Sequence, residues 1–435
     1  MRGRRKMRWV SLAAAVTLSA CWADAAQHDG FLVKDGQKAF PLGFYELPES
    51  DEGLKAMADA GVNLVRCSSR AELDRLHALG LQGVAPLPLE QGATEDLRAK
   101  VAELAEHPAL AVWEGPDEVV WNFTAFSGLF RTMGVYKTRD AWWDQAPEAK
   151  AYAAEQAAKI VPKMRAAVAM IRELDAAKRP VWINEAKNSD VYYVRQYLDF
   201  TDITGCDYYP VHEDRRNIAE IAAATERWNQ IGRGMPVYMV LQAFSWHELG
   251  EYYDAKGEAY PTFEESRFMA YDAIAHGADG ILYWGSTYLK SDACRESLYA
   301  LTRELAALQP FLTAPDAPGT RLSVLEDQNP DKTPRVAYFA RCVGDDWLLV
   351  LVNEDDVRHT AVVVDGLGAL NGTTLCRLYT EEAAVVARGE LIARMLPKSV
   401  HVYATSRDYE AGCGDGRDFG AGAAQENTGQ GGSQK

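Results

Sequence analysis

The sequence is poor in the residue patterns that build metal and phosphate sites. It has seven cysteines and eight histidines in 435 residues, and neither set shows the close spacing of zinc ligands. No glycine-rich loop follows the first predicted strand, which argues against a bound nucleotide phosphate there. We therefore expect neither a metal ion nor a cofactor.

Clusters of basic residues are also missing from the body of the chain. The formal net charge is −16 and the pI is about 5.1. A chain this acidic repels the phosphates of nucleic acid and of anionic lipid. We expect no nucleic-acid partner, and membrane contact only through a lipid anchor.

Long apolar runs are scarce, and the one near the N-terminus predicts export. Trp9–Leu18 follows a basic segment and precedes small residues, as in a signal peptide, and is too short for a permanent membrane helix. Residues 18–21, Leu-Ser-Ala-Cys, resemble a bacterial lipobox, so 1–21 is predicted as a signal peptide with Cys21 lipidated. Ordinary cleavage near Ala23–Ala25 is the alternative. The prediction is a lipoprotein of the cell envelope, otherwise a periplasmic or secreted protein.

From residue 40 to 308 the chain alternates short apolar strands with amphipathic helices. This pattern indicates parallel α/β structure, and eight strand–helix units of this length favour a (β/α)8 TIM barrel over residues 31–309. A doubly wound open sheet is the alternative. The predicted strands are Ala39–Glu46, Val62–Cys67, Gln82–Leu87, Ala109–Trp113, Pro180–Asn184, Asp202–Asp207, Pro236–Ala243 and Asp279–Trp284.

The pattern changes after the proline-rich stretch 310–318, which we interpret as a linker. Residues 319–405 contain β-branched runs separated by turns and no strong helical segment. They predict a small antiparallel β-sandwich domain. The C-terminal segment 409–435, rich in Gly, Gln, Ala and Ser, predicts disorder.

The most informative stretch is residues 109–118, Ala-Leu-Ala-Val-Trp-Glu-Gly-Pro-Asp-Glu. A buried strand ends in a Gly-Pro break, and the carboxylates Asp117 and Glu118 follow at once. The segment 119–147 then carries many aromatic residues, including Trp121. Carboxylates at the mouth of a strand beside flat rings suit a site that grips and cleaves sugars.

Polar and aromatic residues recur where the other barrel strands end, which is where TIM-barrel active sites lie. We therefore predict a shared set of carbohydrate-binding side chains. They are Tyr45, Glu46, Arg66, Trp113, Trp121, Glu185, Tyr208, Gln242, Trp246 and Trp284.

Five segments carry a resemblance to a known group: Phe40–Tyr45, His107–Trp113, Asp117-Glu118, Asp207–Pro210 and Gly277–Trp284. Residues 31–404 resemble exported bacterial TIM-barrel glycosidases, similar to the clan A retaining enzymes such as β-galactosidases and cellulases. The resemblance implies that Glu118 is the acid/base residue, with Asp117 in the place of the clan's Asn. The clan's nucleophilic Glu at the end of the seventh strand is absent, because that place holds Gln242.

A shorter resemblance points to a different mechanism. Residues 115–119, Gly-Pro-Asp-Glu-Val, are similar to a motif of barrel hexosaminidases. In those enzymes the Glu protonates the leaving group and the Asp steers the substrate's own acetamide. That reading needs no carboxylate on the seventh strand.

The sequence therefore predicts a glycoside hydrolase that cleaves O-glycosidic bonds of an oligo- or polysaccharide by carboxylate acid/base catalysis. Glu118 is the predicted acid and Asp207 its counterpart, with Asp117 assisting and water between the two carboxyls. Glu46, Glu185 and Glu248 are alternative counterparts. A non-catalytic carbohydrate-binding barrel lipoprotein is the alternative function.

Simpler structural roles remain open for several of these residues. Asp117 could cap the helix that follows it, and residues 207–210 could form a turn. Trp113 and Trp284 could fill the barrel core, and Arg66 could pair only with Glu46 or Glu114.

Overall fold

The computed structural model describes residues 28–34, 36–250, 255–326 and 335–412. The predicted signal peptide and lipobox, residues 1–21, lie outside the described residues, as does the predicted tail beyond Gly412. Tyr409, the first residue of that tail, is ordered: its ring lies 4.8 Å from that of Phe311, and its hydroxyl donates to Asp346 at 2.7 Å.

The N-terminal part of the described chain contains eleven strands. A short antiparallel hairpin comes first, and parallel strands follow. The strands are β1 Leu32–Lys34, β2 Gln37–Ala39, β3 Leu42–Phe44, β4 Leu64–Arg66, β5 Gln82–Pro86, β6 Leu110–Glu114, β7 Val181–Trp182, β8 Glu185–Ala186, β9 Thr204–Asp207, β10 Val237–Gln242 and β11 Gly280–Trp284.

Helices alternate with these parallel strands. They are α1 Asp51–Asp59, α2 Arg70–Ala78, α3 Glu95–Leu104, α4 Val119–Thr124, α5 Gly128–Arg131, α6 Pro147–Leu174, α7 Val191–Val194, α8 Glu220–Gly232, α9 Phe263–Ala275, α10 Asp292–Ala307 and α11 Gln309–Leu312. Local sequence explains their boundaries. The Ser50 side chain, for example, accepts from Gly53 N and begins α1.

The parallel strands close into a barrel of eight, with β7 and β8 as two pieces of the fifth strand. β7 pairs with β6, β8 pairs with β9, and Trp182 bridges to Ile203 across the gap. On the other side β11 pairs with both β10 and β3. The prediction of a TIM barrel is confirmed, and the open sheet is ruled out for the described chain.

Alternation along the strands sorts their side chains into two layers. Leu64, Val84, Val112, Val240 and Leu282 belong to one cluster inside the barrel. Their neighbours in sequence point outward to the helices and join the larger core. Because successive residues of a strand face opposite sides, this parity decides which strand-end residues reach the barrel mouth.

The chain after the barrel forms two antiparallel sheets, as predicted. The strands are β12 Arg321–Glu326, β13 Val336–Val343, β14 Asp346–Asn353, β15 Thr360–Asp365, β16 Thr374–Arg377, β17 Ala383–Val385, β18 Leu391–Met395 and β19 Val400–Ala404. One sheet has the order β12-β15-β18 and the other β13-β14-β19-β16-β17.

Strand β14 joins the sandwich to the barrel. Leu349 and Leu351 face the core between the two sheets, whereas Leu348 and Val350 belong to the core shared with the barrel helices. Part of the predicted linker 310–318 is helical. Pro310 lies in the first turn of α11, where proline is tolerated because its missing N–H is not needed.

Among the described residues, no helix is both long enough and apolar enough to cross a membrane.

Candidate active site

Glu118 stands in a strained backbone conformation at the barrel mouth. After β6 the chain turns at Gly115-Pro116, and Glu118 adopts φ +51° in the left-handed region just before α4. For a residue with a Cβ this costs about 1–2 kcal/mol. Such strain persists only where the surroundings fix it, and it concentrates at functional sites.

Asn184, between the two pieces of the fifth strand, holds this turn in place. Its backbone oxygen accepts from Glu118 N at 3.0 Å, and its Nδ2 donates to Asp117 Oδ1 at 2.9 Å. Asn184 is almost fully buried. The fifth strand therefore positions both carboxylates of the motif that follows the fourth.

The carboxyl groups of Glu118 and Asp207 are hydrogen-bonded to one another. Tyr209 donates its hydroxyl proton to Asp207 Oδ2 at 3.2 Å. The structure thus brings together the two residues predicted as catalytic. Because the two carboxyls contact one another directly, the structure does not show the predicted space for water between them.

Burial and neighbouring negative charge keep a proton on this pair. Burial, followed by the charges of Asp117 and Glu185, raises the pKa of Glu118 to about 8. Burial and the Glu118 charge also raise the pKa of Asp207. Two carboxyls in contact cannot both ionise readily. Both shifts favour a shared proton on this pair, which a general acid could transfer.

Arg66 and Glu114 lie beside the pair. Arg66 Nε lies 2.7 Å from Glu114 Oε2, and its guanidinium carbon is 5.2 Å from the centroid of the Tyr45 ring. Burial outweighs this pairing and raises the pKa of Glu114 to about 7. Of the two predicted partners, Arg66 pairs with Glu114, while the Glu46 carboxylate accepts from Gly285 N, Ser286 N and Ser286 Oγ.

Four rings at or just beyond the ends of barrel strands β9, β10 and β11 form an aromatic wall at the mouth: Tyr209, Phe244, Trp246 and Trp284. Tyr209 and Trp284 stack with centroids 5.4 Å apart and planes at 24°. Phe244 meets the Trp284 ring edge-on at 5.0 Å, and Trp246 at 5.2 Å. Phe244 is fully buried and supports the other three rings, which are partly exposed and present apolar faces on which sugar rings stack.

Some aromatic rings of segment 119–147 are buried, and others lie at the protein surface. Phe123, Tyr136 and Trp142 are buried against the barrel. Trp143 is 52% exposed, and its ring centroid lies 6.1 Å from that of Trp121. The buried rings hold the segment, and the Trp121–Trp143 pair offers a second apolar surface.

Three of the predicted binding residues are fully buried and have their side chains engaged elsewhere. Trp113 points outward, and its Nε1 donates to Asp175 at 2.9 Å in the layer beneath the helices. The buried Gln242 amide bonds to the backbone of Val211 and Phe244. Each of these side chains is fully buried.

The third, Glu185, is a structural cap for α4. Its carboxylate accepts from Val120 N at 2.9 Å and Trp121 N at 3.3 Å, and also from Ser189 Oγ and Tyr197 Oη. The alternative counterpart Glu248 is similarly held, because its Oε1 accepts from Tyr260 Oη and Lys290 N.

Tyr208 and Tyr209 show what the sequence interpretation missed. The Tyr208 hydroxyl donates to Glu220, and its ring lies beneath Lys187, away from the carboxyl pair. Tyr209, two residues beyond Asp207, reaches that pair. Strand alternation places residues 207 and 209 on one face and 208 on the other, which would have selected Tyr209. Asn184 was missed as well, although it is a polar residue at a strand end.

The raised pKa values predict that stability falls as pH rises. The pKa of Glu114 and of Glu185 lies at about 7, against 4.5 for an unperturbed glutamate, with burial as the main cause. Arg66 and Asp117 also act on Glu114. Between pH 4.5 and 7 the native chain binds more protons than the unfolded chain, so the free energy of unfolding decreases with increasing pH.

Urea denaturation at pH 5, 6, 7 and 8 measures this slope, and Glu185→Gln, which removes one titrating group, should flatten it. A free energy of unfolding that stays constant or rises over this range would contradict the assignment.

No protein-family model matches the sequence, and a search of curated proteins finds no match. Solved structures do resemble the fold. The cold-adapted β-galactosidase from Rahnella sp. R3 aligns with TM-score 0.50 at 10% identity, covering 86% of this chain and 99% of that one. The GH51 arabinofuranosidase from Xanthomonas axonopodis pv. citri aligns with TM-score 0.50 at 11% identity, covering 87% and 93%. At this identity the likeness shows a shared fold, that of TIM-barrel glycosidases.

Proposed function

We propose that the protein is a glycoside hydrolase that acts on an oligo- or polysaccharide, with Glu118 as the general acid. One observation carries the proposal: the carboxyl groups of Glu118 and Asp207 are hydrogen-bonded to one another at the mouth of the barrel, where burial raises the pKa of both. The aromatic wall provides apolar faces for sugar rings at the ends of neighbouring strands.

In the proposed reaction Glu118 donates its proton to the glycosidic oxygen as the bond to the anomeric carbon breaks. The pair, now with both carboxyls ionised, stabilises the positive charge that develops on the sugar. Water supplies the hydroxyl for the anomeric carbon, and its proton returns to the carboxyl pair. Asn184 and Asp117 keep Glu118 in position throughout.

Gln242 supports a second candidate, a non-catalytic carbohydrate-binding barrel. The seventh strand ends in this buried amide, whose side chain bonds to backbone groups. A neutral amide cannot act as the glycosyl nucleophile of a retaining enzyme. A barrel of this kind would keep the aromatic wall and lose hydrolysis.

One experiment separates the two functions. The signal-free protein is incubated with a broad panel of glycans, and reducing-sugar release is measured beside binding by calorimetry on the same panel. Hydrolysis of any glycan that also binds supports the enzyme. Binding without release from every bound glycan would refute catalysis and establish the binding barrel.

We also propose that the chain is exported and anchored through Cys21. The basic segment, apolar run and lipobox-like residues 18–21 of the sequence support this. Mass spectrometry of the mature N-terminus in a bacterial host should find lipidated Cys21, and Cys21→Ser should abolish lipidation. An unprocessed Met1 would contradict export, and cleavage near Ala25 would leave export but exclude the anchor.

A further inference from the structure

Three potential metal ligands meet where the barrel joins the sandwich, far along the chain from the carboxyl pair. Asp272 and His276 lie one turn apart on α9, and Glu354 directly follows β14. His276 Nε2 lies 2.6 Å from Glu354 Oε1 and 3.8 Å from Asp272 Oδ1. All three ligand atoms lie within 4.8 Å of one another.

Asp272 is the buried member of this group, and one of its oxygens lacks a hydrogen-bond donor. The residue is 0% exposed. Its Oδ2 accepts from Ala222 N at 3.1 Å, and the buried Oδ1 receives no bond from an N–H or hydroxyl group, so that without an ion only a proton shared with the Glu354 carboxyl can satisfy this side chain. An unsatisfied carboxylate oxygen in the interior is costly unless a cation or a proton occupies the space it faces.

The orientation of His276 is set from its other nitrogen. Nδ1 lies 2.9 Å from Glu226 Oε1 on α8. A carboxylate that accepts from Nδ1 fixes the tautomer with its lone pair on Nε2, the usual arrangement behind a metal-bound histidine. Without an ion, Nε2 donates to Glu354 Oε1 at 2.6 Å, and a bound ion would take the place of that proton.

The charges of the cluster also favour a cation. The carboxylates of Asp272, Glu354 and Glu226 surround one imidazole, and the His276 and Glu354 side chains are only 16% and 19% exposed. Even a protonated His276 leaves negative charge in excess. A divalent ion between the three ligand atoms would compensate it.

We propose that Asp272 Oδ1, His276 Nε2 and Glu354 Oε1 form a structural site for a divalent transition-metal ion of the zinc class. One nitrogen and two carboxylate oxygens suit Zn²⁺, with water as the fourth ligand, better than Ca²⁺, which takes six to eight oxygens. Tetrahedral zinc with bonds of about 2.0–2.1 Å needs ligand atoms about 3.3 Å apart, between the two separations found here. The two distances from His276 Nε2 therefore each differ from this value by less than 1 Å.

The ion would tie the two domains together. Helix α9 of the barrel contacts β13, β14 and β19 of the sandwich, and the ligands come from α9 and from the end of β14. Metal binding should therefore stabilise the junction without touching the carboxyl pair at the barrel mouth. The site is independent of the proposed glycosidase activity.

The test uses the tag-free full chain, freed of metal with a chelator and titrated with Zn²⁺ by calorimetry. We expect one ion per chain and a rise in Tm of about 3–5 °C at a hundredfold excess over Kd. X-ray absorption of the zinc complex should show one nitrogen and two carboxylate oxygens near 2.0–2.1 Å, together with a further light ligand.

Variants identify the ligands. His276→Gln should weaken zinc binding at least 100-fold, and Glu226→Gln about 10–100-fold, because Glu226 only orients the imidazole. His359→Gln, which removes an exposed histidine of the nearby sandwich loop, is the matched control and should bind zinc like the wild type.

Cobalt(II) adds a readout that does not depend on stability. The visible bands of tetrahedral Co²⁺ should appear in the wild type and in His359→Gln and be lost in His276→Gln. Absence of zinc binding by the wild type, or equal binding by His276→Gln, would overturn the proposal and leave the cluster as a proton-sharing bridge.

Discussion

Glu118→Gln is expected to lower kcat/KM by about 10²–10⁴-fold on any glycan that the wild type cleaves, the usual contribution of a general acid. Glutamine keeps the size of the side chain and removes the transferable proton. Because Asn184 holds residue 118 through its backbone, the variant should retain the fold and bind the same glycan with similar Kd. Initial rates and calorimetry on the same substrate measure the two quantities.

The pH dependence gives this prediction a second signature. Since burial and neighbouring charge raise the pKa of Glu118 to about 8, wild-type activity should persist through neutral pH and fall as the pair loses its proton above about pH 8. The residual activity of Glu118→Gln should lack that alkaline fall. Asp207→Asn should also lose activity, because it removes the second carboxylate.

The matched control for Glu118→Gln is Glu106→Gln. Glu106 is exposed and precedes β6 at the end of the barrel opposite the mouth, so the same chemical change should leave kcat/KM unaltered. Equal activity in Glu118→Gln and the wild type would show that another group donates the proton.

Glu185→Leu is expected to lower the free energy of unfolding by about 3–5 kcal/mol, because it leaves buried hydrogen-bond donors without an acceptor. The Glu185 carboxylate accepts from Val120 N and Trp121 N in the first turn of α4 and from the hydroxyls of Ser189 and Tyr197. Leucine fills the space and satisfies none of them. Urea denaturation measures the change.

Two further variants separate this loss from a general effect of substitution. Glu185→Gln keeps one acceptor oxygen and should lose less stability than Glu185→Leu. Glu106→Gln, on the surface, should stay within about 0.5 kcal/mol of the wild type. A small loss in Glu185→Leu would mean that its donors find other partners. Because α4 begins just after Glu118, a large loss should also reduce kcat.

Hydrophobic periodicity predicted the barrel because it reports burial, and each barrel strand buries both of its faces. The helix cap at Ser50 was equally predictable, since it needs only local sequence. The strand signal in the sequence is weaker for β12, β17 and β18 of the sandwich. The last two carry exposed positions such as Val385 and Ile392, which weakens the apolar signal.

The site was harder to predict because several of its contacts depend on neighbours distant in sequence. Asp117, Glu118 and Asp207 were found from their places at strand ends. Trp113 and Tyr208 were assigned to the mouth although strand parity turns them outward. The pairing of Arg66 with Glu114, by contrast, depends on the lateral order of the strands, which composition and motif cannot supply.

The divided fifth strand has a consequence for what the mouth of the barrel can admit. Its two pieces each pair with one neighbour over only two residues, and the segments that carry Glu118 and Asp207 follow those two neighbours. A lateral shift of β7 and β8 would move the carboxyls of Glu118 and Asp207 apart without disturbing the longer β10–β11 ladder. The spacing between Glu118 and Asp207 therefore depends on the position of the fifth strand, and a substrate that displaces this strand would change it.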